Sequence, residues 1–342
     1  MEKMKNMDVI CFGEFMMRLD DASQSIETSN PDEVKFAGSE ANVAVSLATL
    51  GDNVGYVTRL PIGIVGNAAV HRLAQYGIDT SKVLRSEGKI GSYFLQQGAS
   101  RQKSKTIYDR DNTPFSSLRP GIIDWHSILK GAKVFHTSGI SAAISQSSAD
   151  ATFEALDVAD ELGLTVSFDI NYRSALWNYG ADPKETLVRM MQRCDVMFGD
   201  VIEFEYITGK RIPFEATSSD YQMDLKAYEE WCGELHALCP RCKRMIIGIR
   251  SQPQPRHHVL TAIMIADGKM ITSAIHDIKE IVDPVGVGDA FAAGSIHAAL
   301  HFADDPQKWL DYSLAAATLK NQIPGDFNLT PDEKIKALAG IG

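Results

Sequence analysis

The sequence predicts an α/β protein: a three-layer α/β/α arrangement around a mostly parallel sheet, with a small β-sheet attached. Three observations carry this. Short apolar runs alternate with helix-length amphipathic stretches through most of the 342 residues, the pattern of parallel strands joined by right-handed crossovers. Runs such as DVICFG read as buried strands. One region, Gly91–Arg110, breaks the alternation with two strand-like runs joined by the polar loop GASRQ.

In order along the chain, Asp8–Gly13 is a strand and Glu40–Gly51 a helix ending at its glycine. Asn53–Leu60 is a strand, and Asn67–Tyr76 a helix stopped by Gly77. Ala132–Ile140 is a strand, followed by a helix to about Leu162. Leu164–Arg173 is a strand that ends in polar groups. A helix near Lys184–Arg193, the strand Asp195–Gly199, a helix from Val201 and a long helix over Leu225–Leu238 follow. Arg244–Arg250 is a strand, and Val259–Ala274 a hairpin that turns at Asp267-Gly268. The last two helices are Asp289–His301 and Gln307–Asn321. Strands near 15–20 and 33–36 join the pair in 91–110 as the small sheet, so residues 1–342 form one domain with a lid.

Lys and Arg number 34 against 44 Asp and Glu, a net charge of −10. This excludes general binding to nucleic acid or an anionic membrane, whose footprint is basic. It leaves room for a small anion met by a local basic cluster. No segment reaches the roughly 18 apolar residues of a membrane span, and the start lacks a signal peptide's apolar stretch. The five cysteines therefore read as reduced thiols of a cytoplasmic protein. Cys232, His236, Cys239 and Cys242 crowd together, but CPRC is a lone C-x-x-C without a second pair, so structural thiols are expected.

Ligands on such sheets bind beyond the carboxyl ends of the strands. That points to the turns at Gly38, Asn171–Arg173, Asp200 and Gly286–Asp289. The last reads DPVGVGDAFAAG (Asp283–Gly294) and opens an apolar helix. It is not a dinucleotide fingerprint, since Phe291 stands where a third glycine is needed, and the chain has no P-loop. The N–H groups of Gly286, Val287 and Gly288 lie at a helix mouth, where the dipole and unpaired donors favour an anion. A carboxylate beside that hole makes sense if a hydroxyl attacks a phosphoryl group there: Asp289 takes the proton while the N–H groups meet the developing charge.

DPVGVGDAFAAG resembles the C-terminal signature of the ribokinase-like (PfkB) sugar kinases, and FAGSEANVAVSLATLG (Phe36–Gly51) their N-terminal one. GEFMMRLD, VTRLP, FHTSGIS and FDINYRSALW are most similar to family members that act on 2-keto-3-deoxygluconate. The resemblance spans nearly the whole chain and implies a ribokinase-like fold. It implies transfer of phosphate from ATP, with Mg²⁺, to a primary hydroxyl of that sugar acid. A kinase of a neutral sugar is the alternative, and a non-catalytic sensor on the same fold a second one.

By the same resemblance, Asp289 is the catalytic base and Gly286, Val287 and Gly288 form the anion hole. Gly38, Asn42, Tyr93, Tyr108, Arg110, Ile140 and Arg173 face the sugar. Asp200, Arg250, Gly286 and Gly288 face the nucleotide, and Asp200 and Glu203 attend Mg²⁺ and its waters. Apart from the resemblance, a lid sheet with an exposed face pairs readily with a copy of itself, so a homodimer through the lid is an expectation. Some positions depart from the family pattern. The paired glycines before the first helix read Ala37-Gly38, GAGD reads GVGD, N-x-x-E reads Asp200-x-x-Glu203, and P-I-G-I-V-G (Pro61–Gly66) lacks an acidic residue. The glycine turn near the nucleotide is replaced by IRSQPQPRHH (Ile249–His258).

Overall fold

The computed structural model describes residues 7–20, 34–96, 105–211, 224–254 and 256–342. The first half of the chain carries strands β1 (Val9–Phe12), β2 (Met16–Asp20), β3 (Lys35–Ala37), β4 (Val54–Val57), β5 (Arg59–Pro61), β6 (Leu84–Ser86), β7 (Ser92–Gln96), β8 (Lys105–Asp109) and β9 (Val134–Ser138). The second half carries β10 (Thr165–Asp169), β11 (Val196–Asp200), β12 (Arg244–Gln254), β13 (His257–Ala266), β14 (Lys269–Thr272) and β15 (His276–Lys279). Helices α1 (Ser39–Thr49), α2 (Ile64–Ala74), α3 (Trp125–Leu129), α4 (Gly139–Ala143), α5 (Gln146–Glu161) and α6 (Pro183–Met191) are set between them. The rest are α7 (Val201–Thr208), α8 (Leu225–Leu238), α9 (Val287–His301), α10 (Pro306–Lys320) and α11 (Asp332–Ala339).

The central sheet has nine strands in the order β14-β13-β12-β11-β10-β9-β1-β4, with β15 also on β13. From β4 to β12 every pairing is parallel, and β13, β14 and β15 close the edge antiparallel. The two-residue period of a strand explains the unbroken apolar runs. Ile10, Phe12, Phe135, Phe168 and Met197 point to one layer, built by Trp125, Leu156, Leu187 and Tyr228 of α3, α5, α6 and α8. Val9, Cys11, Val134, Val196 and Phe198 point to the other, with Val43, Phe291 and Leu310 of α1, α9 and α10. A separate four-stranded sheet runs β3-β2-β7-β8, from the strands near 15–20, 33–36 and 91–110 that were expected as a lid. The loop GASRQ lies outside the described residues.

Several boundaries differ from the sequence reading. The strand expected at Asn53–Leu60 is two: β4 stays in the central sheet, while β5 pairs with β6 in a separate two-stranded sheet. Pro61, at the end of β5, has no N–H for a central ladder. The helix expected to run to Leu162 is α4 then α5, divided where Ser145 forms a reciprocal cap with Ser148. Helix α2 starts at Ile64, three residues early, because Gly63 turns the chain with φ 107°. Strand β12 continues past Arg250 to Gln254, and α3, β15 and α11 were not anticipated. In α11 the one fully buried residue is Ile335, too weak an apolar rhythm to announce a helix. The thiols of Cys239 and Cys242 donate to backbone carbonyls, and all five cysteines are buried and free.

Candidate active site

The central sheet's carboxyl edge, the mouths of α1 and α9 and one face of the four-stranded sheet enclose a cavity of about 450 Å³. All the residues expected at the site, Gly38, Asn42, Tyr93, Tyr108, Arg110, Ile140, Arg173, Asp200, Glu203, Arg250, Gly286, Val287, Gly288 and Asp289, line it. Two approaches of backbone require glycine here. At Gly38 a Cβ would stand 2.2 Å from the Glu14 carbonyl oxygen. At Gly286, which caps α9 with φ 76°, it would stand 2.0 Å from that of Asp326.

Asp289 sits in the first turn of α9. Ser39 Oγ donates to its Oδ1 at 2.9 Å, and Asn42 Nδ2 to its Oδ2 at 2.7 Å. Both come from the first turn of α1, which packs against α9. Burial pushes the Asp289 carboxyl up to about 6, with the two hydrogen bonds pulling against it. Asn171 Nδ2 donates to Ser39 Oγ at 2.7 Å and to Asp169 Oδ2 at 2.9 Å. Asn171 adopts φ 41°, a left-handed conformation that asparagine tolerates. Ser39, Asp169 and Asn171's precise role were missed in the sequence. Ser39 could have been found, because it precedes Asn42 by three positions and shares its helix face.

The pair expected beside a metal lines the cavity and also serves the fold. Asp200 and Glu203 form a reciprocal cap: Glu203 N–H donates to Asp200 Oδ1 at 2.8 Å, and Asp200 N–H to Glu203 Oε2 at 3.0 Å. Glu203 Oε1 also accepts from Tyr172 N–H at 2.7 Å. Burial, then the Asp200 charge, raises the Glu203 carboxyl to about 7. Burial and the charges of Glu203 and Asp289 hold Asp169 well above the usual carboxylate range. Oxygen donors of this kind suit Mg²⁺, and an added cation relieves their mutual repulsion. With each Glu203 oxygen already accepting an N–H, contact through bound water fits better than direct ligation.

The two arginines differ. Arg110 is 8% exposed, its ring-facing guanidinium lies 4.7 Å from the Tyr108 ring centroid, and its Nε and Nη1 have no hydrogen-bond partner. Its nearest carboxylate oxygen is Glu14 Oε2 at 3.6 Å. Burial raises the Glu14 carboxyl, and Thr113 Oγ1 donates to its other oxygen at 2.8 Å. Arg173 has a side chain 44% exposed; it donates to Tyr172 O at 2.9 Å and lies 3.7 Å from Glu203 Oε1. It belongs to the carboxylate side of the cavity. The four-stranded sheet is tied to Asp326, whose two oxygens accept from Tyr93 Oη at 2.7 Å and Arg18 Nη1 at 2.5 Å.

The pfkB family carbohydrate kinase pattern matches residues 6–247. The chain belongs to the pfkB family of carbohydrate kinases. The kinase is 28% identical over 338 residues to the 2-dehydro-3-deoxygalactonokinase of Haloferax volcanii, covering 97% of each chain. It is 34% identical to the crystal structure of the 2-dehydro-3-deoxygluconokinase of Thermotoga maritima, with a TM-score of 0.86 over 98% of this chain and 99% of that one. The Escherichia coli putative ribokinase II in complex with ATP and Mg²⁺ is 20% identical, with a TM-score of 0.76 over 98% and 99% of the two chains. That last likeness speaks for the ribokinase-like fold. No described helix of the kinase is long and apolar enough to cross a membrane.

Proposed function

We propose that this kinase transfers the γ-phosphoryl group of ATP to the primary hydroxyl of 2-keto-3-deoxy-D-gluconate, giving the 6-phosphate. One observation carries the reading. A single cavity holds a tethered carboxylate at a helix mouth and a buried arginine short of hydrogen-bond partners. Asp289 accepts the proton of the attacking hydroxyl, while Ser39 and Asn42 fix both its oxygens. The N–H groups at the start of α9 meet the charge on the transferring group. Arg110 pairs with the acid end of the sugar, which leaves the far hydroxyl at Asp289. Mg²⁺ supplies charge neutralisation across the phosphates; Asp200 and Glu203 would hold it through its waters. Arg250, on β12, lines the same cavity and would face the nucleotide. The substrates in the names of the Haloferax and Thermotoga relatives support a 2-keto-3-deoxy sugar acid. A coupled assay of ATP consumption over this acid, its C4 epimer, fructose and ribose tests it. The highest kcat/KM is expected for 2-keto-3-deoxygluconate, and equal use of fructose overturns the assignment.

Two further results are expected. Glu203→Gln raises the Mg²⁺ concentration needed for half-maximal rate, since it removes a charge facing the ion's waters; an unchanged magnesium titration rejects the role. Hydrogen exchange in β7 and β8 slows when sugar acid and a non-hydrolysable ATP analogue are both bound, because a closing lid excludes water. Exchange indifferent to both ligands removes the lid reading. Phe94 and Ile107, paired across β7 and β8 and 43% and 51% exposed, support a homodimer through the lid's outer face. Sedimentation of Phe94→Lys as a monomer, against a dimeric parent, checks it.

A further inference from the structure

We propose that Asp52, His297 and His301 form a binding site for one transition-metal ion of the zinc class, separate from the active-site cavity. His297 and His301 are four residues apart on α9 and so share a face. Asp52 comes from the turn between α1 and β4. One candidate ligand atom from each of the three residues lies within 4.8 Å of the others. Asp52 Oδ2 is 2.8 Å from His297 Nδ1, and Asp52 Oδ1 is 3.0 Å from His301 Nε2. Around a tetrahedral zinc ion, donors 2.0–2.1 Å from the metal are about 3.3 Å apart. Seating an ion therefore asks these side chains to open by a few tenths of an ångström.

Charge argues the same way. The side chain of Asp52 is 3% exposed, and its two close partners are imidazoles, which carry charge only when protonated. A carboxylate this deep is stabilised by a cation. The surroundings orient the ligands too. His297 stacks on Tyr312, and its Nε2 lies 3.8 Å from Asp332 Oδ1. Asp332 is itself held by Tyr312 Oη at 2.8 Å and Lys336 Nζ at 2.7 Å. When Nδ1 binds a metal, the ring proton resides on Nε2 and faces this carboxylate, the arrangement that fixes metal-bound histidines. The His301 side chain is 50% exposed, which gives the ion a way in and leaves one position for water.

Two imidazoles and one carboxylate select zinc, nickel or copper over magnesium. Along α9, His297 and His301 stand about 12 and 18 Å beyond Asp289, and none of the three residues lines the catalytic cavity. The ion would tie the Asp52 turn to α9 and, through Asp332, to α11.

The test uses the full-length chain stripped of metal, titrated calorimetrically with Zn²⁺ in saturating Mg²⁺, beside His301→Ala and Asp52→Asn. Wild type is expected to bind one Zn²⁺ at this site and to melt at a higher temperature with it. Loss of an outer-shell partner alone weakens metal binding about 10- to 100-fold, so His301→Ala is expected to weaken it by more than tenfold. His301→Ala should also lose the rise in Tm and keep kinase activity. Co²⁺ should give tetrahedral visible absorption in wild type, absent in both variants. No Zn²⁺ binding by wild type, or binding by His301→Ala within tenfold of wild type, overturns the proposal; the latter would place the ion elsewhere, for example at the thiols.

Discussion

Asp289→Asn lowers kcat by about 10²- to 10⁴-fold and leaves the KM for the sugar acid within a few-fold. The amide keeps the shape of the carboxylate but cannot take the proton. Asn42 and Ser39 donate to the two oxygens; the amide keeps an acceptor for Asn42, and the Ser39 hydroxyl can turn to accept from its nitrogen, so the side chain stays in place. The wild-type rate carries a matching signature. Burial holds Asp289 at about 6, and the base works ionised, so kcat/KM falls as pH drops through about 6, tenfold per unit below it. This acid limb disappears from the residual rate of Asp289→Asn. A variant that keeps more than half of wild-type kcat removes Asp289 from the mechanism.

The second large effect is at Arg110. Arg110→Ala is expected to lower kcat/KM for 2-keto-3-deoxygluconate by roughly 30- to 5,000-fold, the equivalent of about 2–5 kcal/mol for truncating one partner of a buried charged pair. Fructose and ribose, which carry no acid, should change little, so the preference between acid and neutral sugars collapses. Arg110 is 8% exposed and close to Glu14, which raises the question of folding. Burial already raises the Glu14 carboxyl, so without the guanidinium it protonates rather than standing as a stranded charge. Arg110→Lys keeps a cation without the planar fork and should fall between the two. An unchanged acid-to-fructose ratio in a folded Arg110→Ala would send the selectivity elsewhere, and Arg173 is the next residue to change. The sequence placed both arginines at the sugar. The structure separates them: Arg173 is nearly half exposed beside Glu203, and Arg110 is buried with nitrogens unpaired.

Much of the site was legible because its signals are local. Gly286 to Asp289 announce a helix mouth with an acid in its first turn, and the backbone there adopts that form. Asp200 and Glu203 stand three apart, the spacing of a reciprocal cap, and they form one. The alternation of strands and helices gave the parallel sheet because each strand's burial is written in its own side chains. Where the strand at the end of Asn53–Leu60 was misread, a distant partner was responsible. Nothing within Asn53–Leu60 says that its end leaves the central sheet, since β6, which draws it away, lies more than twenty residues on.

The sequence by itself determined the layered fold and the glycine turn that opens α9 with an acid in its first turn. Those follow from periodicity and from the geometry of a few consecutive residues, which any chain with this pattern adopts. Only the tertiary structure decided that Asn42 and Ser39 reach Asp289 across about 250 positions. It alone decided that Arg110, just after β8, is buried and that Asp52 meets two histidines of α9. Burial and charge pairing depend on which helices pack side by side. That is settled by the sum of many weak apolar contacts across both faces of the sheet, not by any local string of residues.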